Sequence, residues 1–171
     1  MRKVFKSYLQ YLVVLIIIFT IVIVDQVTKI TSAGKVFSLI GDFIWIQSTN
    51  NTGAAFSFGA GSSVSMWIFI TSSFVVSFIL LFILFTNKVS TDIFFRTTLS
   101  ILIGGIIGNL IDRLAFGYVR DFIYLKFINF AIFNVADMAL TISCIMLVIW
   151  VLFLYHPKKN KNVNSSTNEG K

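Results

Sequence analysis

The sequence predicts an all-α membrane protein: four transmembrane helices with a small external β-rich platform between helices 1 and 2. Three observations carry that prediction. The 171-residue chain is 57% apolar and 12% charged, against about 25% charged in an ordinary soluble domain. Its mean hydropathy is +0.89. The apolar residues gather in four runs, each near the ~20 residues a helix needs to cross a bilayer. Nineteen Phe and a single Pro suit long helices packed against lipid and one another. One domain is expected over residues 1–157, with spans at about 8–28, 66–86, 97–116 and 131–155. The basic, polar tail 158–171 is expected to be disordered.

The first apolar run, Tyr8–Val24, follows Arg2, Lys3 and Lys6 and leads directly into Asp25-Gln-Val-Thr-Lys29. Its length favours an uncleaved anchor over a signal peptide cut near Thr31-Ser32-Ala33. Asp25 and Lys29 stand i,i+4 with the acid first, the favourable order for a helical pair. A solvated pair at a helix end and a pair belonging to a site both remain open. From Thr31 to Ser65 the chain turns polar and strand-like. Lys35–Ile40 and Asp42–Gln47 suit short strands around a Gly41-Asp42 turn. In Asn50–Gly59, Asn51, Gly53 and Ala54 permit unusual backbone and close approach. That stretch reads either as a plain loop or as a platform gripping an extended peptide.

Met66–Thr86 is a lipid-facing packing helix, and Asn87–Arg96 a short polar loop. In the third run Gly104 and Gly108 have the small-xxx-small spacing that brings helices close. Asn109, Asp112 and Arg113 fall at i, i+3, i+4 and share one helical face. Gly117–Asn129 is a link holding Arg120-Asp121-Phe122. In the last run Asn134, Asp137 and Thr141 stand at i, i+3, i+7, again as one face.

The net charge of +7 raises the question of nucleic acid, but the cations sit at the ends of the apolar runs. That is a topology signal and excludes a nucleic-acid partner. Nine of the fourteen basic residues lie in the N-terminus, the 87–96 loop and the tail. Both termini are therefore expected on the cytoplasmic side. Asp25, Asp42, Asp112, Asp121 and Asp137, five of the seven acids, then fall at or near the external face. Cys144 lies in an apolar run and behaves as a small hydrophobe. No Cys or His spacing calls for a metal, and no cofactor is expected.

An ionisable group at membrane depth costs at least a few kcal/mol and marks a functional candidate. Residues 104–137 collect Asn109, Asp112, Arg113, Asp121, Asn134 and Asp137. Two carboxylates in a low-dielectric site share a proton near neutral pH. One can then take a proton from water while the other hydrogen-bonds a scissile carbonyl. Asp121 and Asp137 suit that division, although a buried Asp also serves in structural ion pairs.

These motifs resemble those of the lipoprotein signal peptidase (signal peptidase II) family, bacterial aspartyl proteases of the membrane. The matching motifs are Asp25-xxx-Lys29, Asn51-x-Gly53-Ala54, Gly104-Gly-xx-Gly108-Asn109-xx-Asp112-Arg113, Val119-x-Asp121-Phe122 and Phe133-Asn134-x-Ala136-Asp137. Any one is weak; together, in order, they are specific. The resemblance implies that Asp121 and Asp137 are the catalytic dyad. Asn51, Gly53, Asn109, Arg113 and Asn134 would support it or contact substrate, with Asp25, Lys29 and Asp112 shaping the site. It also implies diacylglyceryl-modified prolipoprotein substrates, cut before the lipidated Cys, and a place in the bacterial cytoplasmic membrane in contact with its lipid; a monomer is expected. Two other classes compete: a small proton- or ion-translocating protein using intramembrane Asp and Asn, and a non-enzymatic assembly subunit.

Overall fold

The structure, a computed structural model, describes residues 2–53, 62–86 and 92–155, with side chains from residue 9 onward. The Ala54–Gly59 part of the expected platform, residues 87–91 of the 87–96 loop and the 158–171 tail lie outside the described residues.

Among the described residues, four helices are long and apolar enough to cross a membrane. They are α1 (Arg2–Ser32), α2 (Ser63–Thr86), α3 (Ile93–Phe116) and α4 (Val135–Ile149), the last extended by a π-helical turn over Trp150–Leu154. Helix α3 is the hub. Half of its span is buried, against 17% in each of the other three. It starts where the Asp92 carboxylate accepts from the Phe94 N–H, a capping bond that satisfies an otherwise orphaned donor. This places the helix start before the expected 97.

Gly104 and Gly108 let α1 settle directly against α3. A Cβ on Gly104 would lie 2.9 Å from Ile21 Cβ, and one on Gly108 would lie 2.7 Å from Asp25 Oδ2. The spacing thus sets helix approach, as expected, and at Gly108 it also admits a carboxylate.

The apolar core occupies one end of the bundle. Val14, Ile18, Leu84, Phe95, Leu99, Ile103 and Trp150 form a buried cluster, with the Phe95 and Trp150 ring centroids 4.3 Å apart. The opposite end holds the polar residues and the sheet. Strands β1 (Val36–Ile40) and β2 (Ile44–Asn51) follow α1 as expected. A third strand, β3 (Val119–Leu125), comes from the link between α3 and α4. The sheet is antiparallel in the order β1-β2-β3, so the platform is not built between helices 1 and 2 alone. The β-branched and aromatic residues Val119, Phe122, Ile123 and Tyr124 suit a strand in a segment expected to be a link.

A second correction concerns α4, which begins at Val135 and not near 131. Residues before it run alongside β3. The Phe133 N–H donates to Ile123 O (3.0 Å), and Phe133 O accepts from the N–H groups of Phe122 (3.0 Å) and Ile123 (2.8 Å). Asn134 then caps the helix. A chain paired to a strand cannot also be helical, and that moves the start.

Candidate active site

Three helix ends and two strands meet at the polar end of the bundle. The C-terminal part of α1 brings Asp25, Gln26 and Lys29; the C-terminal part of α3 brings Asn109, Asp112 and Arg113. The start of α4 brings Asn134 and Asp137, β3 brings Arg120 and Asp121, and the end of β2 brings Asn51.

Asn134 and Asp137 are not two residues of one helical face. They form a capping box: Asn134 Oδ1 accepts from the Asp137 N–H (2.9 Å), and Asp137 Oδ2 accepts from the Asn134 N–H (3.1 Å). The i,i+3 spacing that reads as a face is also the spacing of a cap. The box puts the Asp137 carboxylate at the positive end of the helix dipole, which favours negative charge there.

The Asn134 side chain also reaches across to β3, where its Nδ2 donates to Asp121 Oδ1 at 2.6 Å. One residue therefore grips both carboxyl groups. The other oxygen of each is held as well. Asn51 Nδ2 donates to Asp121 Oδ2 (3.0 Å), and Asn109 Nδ2 donates to Asp137 Oδ1 (2.8 Å). Asn109 has no freedom to turn, because its Oδ1 accepts from both Asn134 Nδ2 (3.1 Å) and Lys29 Nζ (3.1 Å). Thr49 lies opposite Asp121 in the sheet, so Asn51 reaches Asp121 as a diagonal cross-strand neighbour.

Asp121 is 2% exposed, while Asp137 is half-buried. Burial pushes the Asp121 carboxyl up to about 6; the Asn51 and Asn134 amides oppose the rise, and the charge of Asp137 adds to it. A carboxyl so placed is about half protonated slightly below neutral pH.

Beneath the pair lies an ionic lattice. Lys29 Nζ stands 2.8 Å from Asp25 Oδ2 and 3.2 Å from Asp112 Oδ2, with all three side chains fully buried. Asp25 Oδ1 accepts from the Ala136 N–H at 2.8 Å, which ties α1 to the first turn of α4. The pair is therefore not a solvated helix end. Gln26 Nε2 donates to Asp25 Oδ2, Gly108 O and Asp112 Oδ1, each at 3.1 Å. Arg120 closes the lattice on Asp112, with Nη2 2.7 Å from Oδ1.

Arg113 points away from the lattice. Its Nη2 lies 3.5 Å from Gly53 O and its guanidinium sits 5.3 Å from the centre of the Phe69 ring. The Gly53 N–H donates to Asn51 Oδ1 at 3.0 Å, so Asn51, Gly53 and Arg113 shape the lip of the site. All ten residues named from the sequence thus come together. Gln26 and Arg120 were not among them. Both stood inside the motif segments, but their partners are remote in the chain and no local spacing announces them. Among the described residues no group of His, Cys, Asp and Glu has the arrangement of a metal site.

A family described as signal peptidase (SPase) II matches residues 17–153. A lipoprotein signal peptidase of Clostridium tetani (strain Massachusetts / E88) is 37% identical over 147 residues, covering 81% of this chain and 91% of that protein. One from Staphylococcus aureus (strain bovine RF122 / ET3-1) is 36% identical over 168 residues, covering 92% and 98%. A solved structure described as a bacterial membrane enzyme, determined by the in meso method at 2.3 Å resolution, superposes with a TM-score of 0.77 at 34% identity. It covers 88% of this chain and 94% of its own. The chain belongs to the signal peptidase II family.

Proposed function

We propose that this signal peptidase II is an aspartyl endopeptidase of the bacterial cytoplasmic membrane. It removes signal peptides from diacylglyceryl-modified prolipoproteins, cutting on the N-terminal side of the lipidated Cys. The observation that carries the reading is the grip of Asn134 on both carboxyl groups, 2.6 Å to Asp121 and 3.1 Å to Asp137. Two carboxyls in one buried hydrogen-bonded network share a proton. The ionised member takes a proton from the attacking water, and the protonated member hydrogen-bonds the scissile carbonyl. As the tetrahedral intermediate collapses, the roles exchange and the amine leaves protonated. Asn109 and Asn134 keep both carboxyls in register through these steps. Asn51, Gly53 and Arg113 form the edge against which the peptide lies.

The substrate class fits the placement. A diacylglyceryl group holds the scissile bond near the membrane surface, and lipid chains contribute about 0.8 kcal/mol per buried CH₂. The bilayer anchors the substrate, so the protein reads only a short stretch beside the Cys. The site faces outward. It sits at the end of the bundle opposite the α1 N-terminus and the C-terminal end of α2, near which the basic residues of the sequence gather. The polar network ends at Gly108 and Asn109. Below it Ile103, Leu99, Val14 and Ile18 close the bundle, which weighs against a translocation path.

The test uses purified protein and a diacylglyceryl-modified prolipoprotein. The expected product begins at the lipidated Cys by mass spectrometry, and the unlipidated precursor is cut far more slowly. Equal cleavage of both precursors, or cleavage elsewhere, would overturn the reading.

A further inference from the structure

We infer that Arg120, with Gln26 beneath it, is a positioning residue that holds Asp121 in reach of Asp137. The inference rests on the dyad reading above and deepens it. Arg120 immediately precedes Asp121 on β3 and is anchored at both backbone and side chain. Its N–H donates to Asp112 Oδ2 at 2.9 Å, and its Nε lies 3.3 Å from the same oxygen. Its Nη2 donates to Asp112 Oδ1 at 2.7 Å and to Gln26 Oε1 at 2.8 Å. The planar fork thus takes both oxygens of a fully buried carboxylate, a geometry open to Arg and closed to Lys. The guanidinium is also stacked 4.6 Å from the centre of the Phe116 ring.

Strand alternation places Arg120 and Asp121 on opposite faces of β3, so Arg120 acts through the backbone and not on substrate. Something must fix the strand here. The pairing of β2 with β3 is irregular between Ile46 and Thr49, just where Asp121 enters the ladder. Among the described residues the carboxyl of Asp121 is held by the amides of Asn51 and Asn134, neither of which belongs to α1 or α3. Arg120 supplies the missing tie to those two helices.

Charge gives a second consequence. Asp25 and Asp112 are balanced by Lys29 and Arg120, all joined by ion pairs. The charged groups packed around the dyad and the lattice beneath it are Asp25 and Lys29 from α1, Asp112 and Arg113 from α3, and Arg120 from β3. Removing the Arg120 charge leaves the lattice net negative beneath two carboxyls, one of which must ionise to work. The ascending limb of the pH–rate profile should then move to higher pH. Replacing Arg120 by Lys keeps the charge and removes the fork, which separates the two effects.

The experiment measures kcat and KM from pH 4 to 9 for full-length wild type, Arg120→Lys, Arg120→Gln and Asp137→Asn. The substrate is a diacylglyceryl-modified prolipoprotein in detergent micelles, and rates are taken per folded protein by circular dichroism. Arg120→Lys should lower kcat by about tenfold to a hundredfold, the loss expected of a misplaced catalytic group, with KM within about twofold and an unmoved profile. Arg120→Gln should lose at least as much, and its ascending limb should shift to higher pH. Raised KM at unchanged kcat, unchanged parameters, or a loss that only tracks the folded fraction would each overturn the inference. If Arg120→Gln does not fold, Arg120→Lys alone decides it. Turnover retained by Asp137→Asn would instead sink the dyad. An inert Asp137→Asn beside wild-type-like Arg120 variants retires only the role given to Arg120.

Discussion

The two ends of the helix bundle treat a buried cation in opposite ways. At the polar end Lys29 is 1% exposed and fully engaged: two carboxylates stand at 2.8 and 3.2 Å, and an amide oxygen at 3.1 Å. At the apolar end Arg96 is equally buried, yet its Nε and Nη1 find no hydrogen-bond partner among the described residues. The Tyr11 ring centre lies 5.0 Å from its guanidinium carbon. Stability at that end comes from apolar contact around Phe95 and Trp150. At the other end buried charges are tolerated because each is matched, and the matching holds the two carboxyls of the proposed dyad. A buried ion pair is weak evidence for stability. One wired into a reaction site is better read as geometry.

The largest effect should come from unmatching the polar end. Lys29→Met leaves Asp25 and Asp112 without their shared cation and frees the Asn109 amide. Breaking a buried pair on one side costs about 3–5 kcal/mol. A thermal melt in detergent should show a large fall in Tm, with activity lost even at temperatures where the variant is folded. A melt close to wild type would mean that the lattice is not holding this end together.

Next comes the burial of Asp121. Its carboxyl is raised from 3.8 to about 6 in the folded state, so the folded protein binds this proton more tightly than the unfolded chain. The contribution is fully present below about 3.8 and is lost as pH rises through 6. At about 1.4 kcal/mol per unit, the loss is up to about 3 kcal/mol. Asp121→Asn should therefore gain on wild type in Tm between pH 4 and 7, less whatever its altered hydrogen bonds to Asn51 and Asn134 give back. A difference in Tm that stays flat over that range would contradict the assignment.

Gly108→Ala should be smaller. The added methyl meets Asp25 Oδ2 at 2.7 Å, and overpacking of this kind costs about 1–3 kcal/mol. Turnover should fall with stability, since Asp25 would be pushed off the Ala136 N–H. A neutral Gly108→Ala would show that α1 and α3 have slack. Smallest of all is the control at the apolar end. Arg96→Met removes a buried charge whose Nε and Nη1 find no hydrogen-bond partner among the described residues, and should leave turnover unchanged, with Tm equal or slightly higher. A marked fall in Tm would erase the contrast between the two ends.

The sequence made some of this legible and hid the rest for physical reasons. Four apolar runs and the Gly104/Gly108 spacing are local signals, and the helices and the α1–α3 approach follow from them. Asn109, Asp112, Arg113, Asn134 and Asp137 stood out because intramembrane polar residues are rare, whereas Asn51 and Gly53 were named only through the family resemblance. The capping box was present as Asn134-x-x-Asp137, but three-residue spacing serves a helical face and a cap equally. What decides is the chain before it, and there Phe133 pairs with β3. Strand β3 is rich in β-branched and aromatic residues, yet pairing with β2 joins residues about seventy positions apart, such as Thr49 and Asp121. Arg120 and Gln26 are the same case. Their contact spans 94 residues, and nothing local in either segment reports it.

The central claim is that Asp121 and Asp137 act as one unit. The measurement that tests it most directly is kcat on a diacylglyceryl-modified prolipoprotein for Asp121→Asn, Asp137→Asn and the double variant, with helical content checked for each. Asn keeps the size of Asp but cannot take a proton from water. Each single change should lower kcat by about a thousandfold or more, and the double should be scarcely worse, because members of a catalytic unit are strongly non-additive. A single variant with near-normal turnover, or a double whose loss is the product of the two singles, would contradict it.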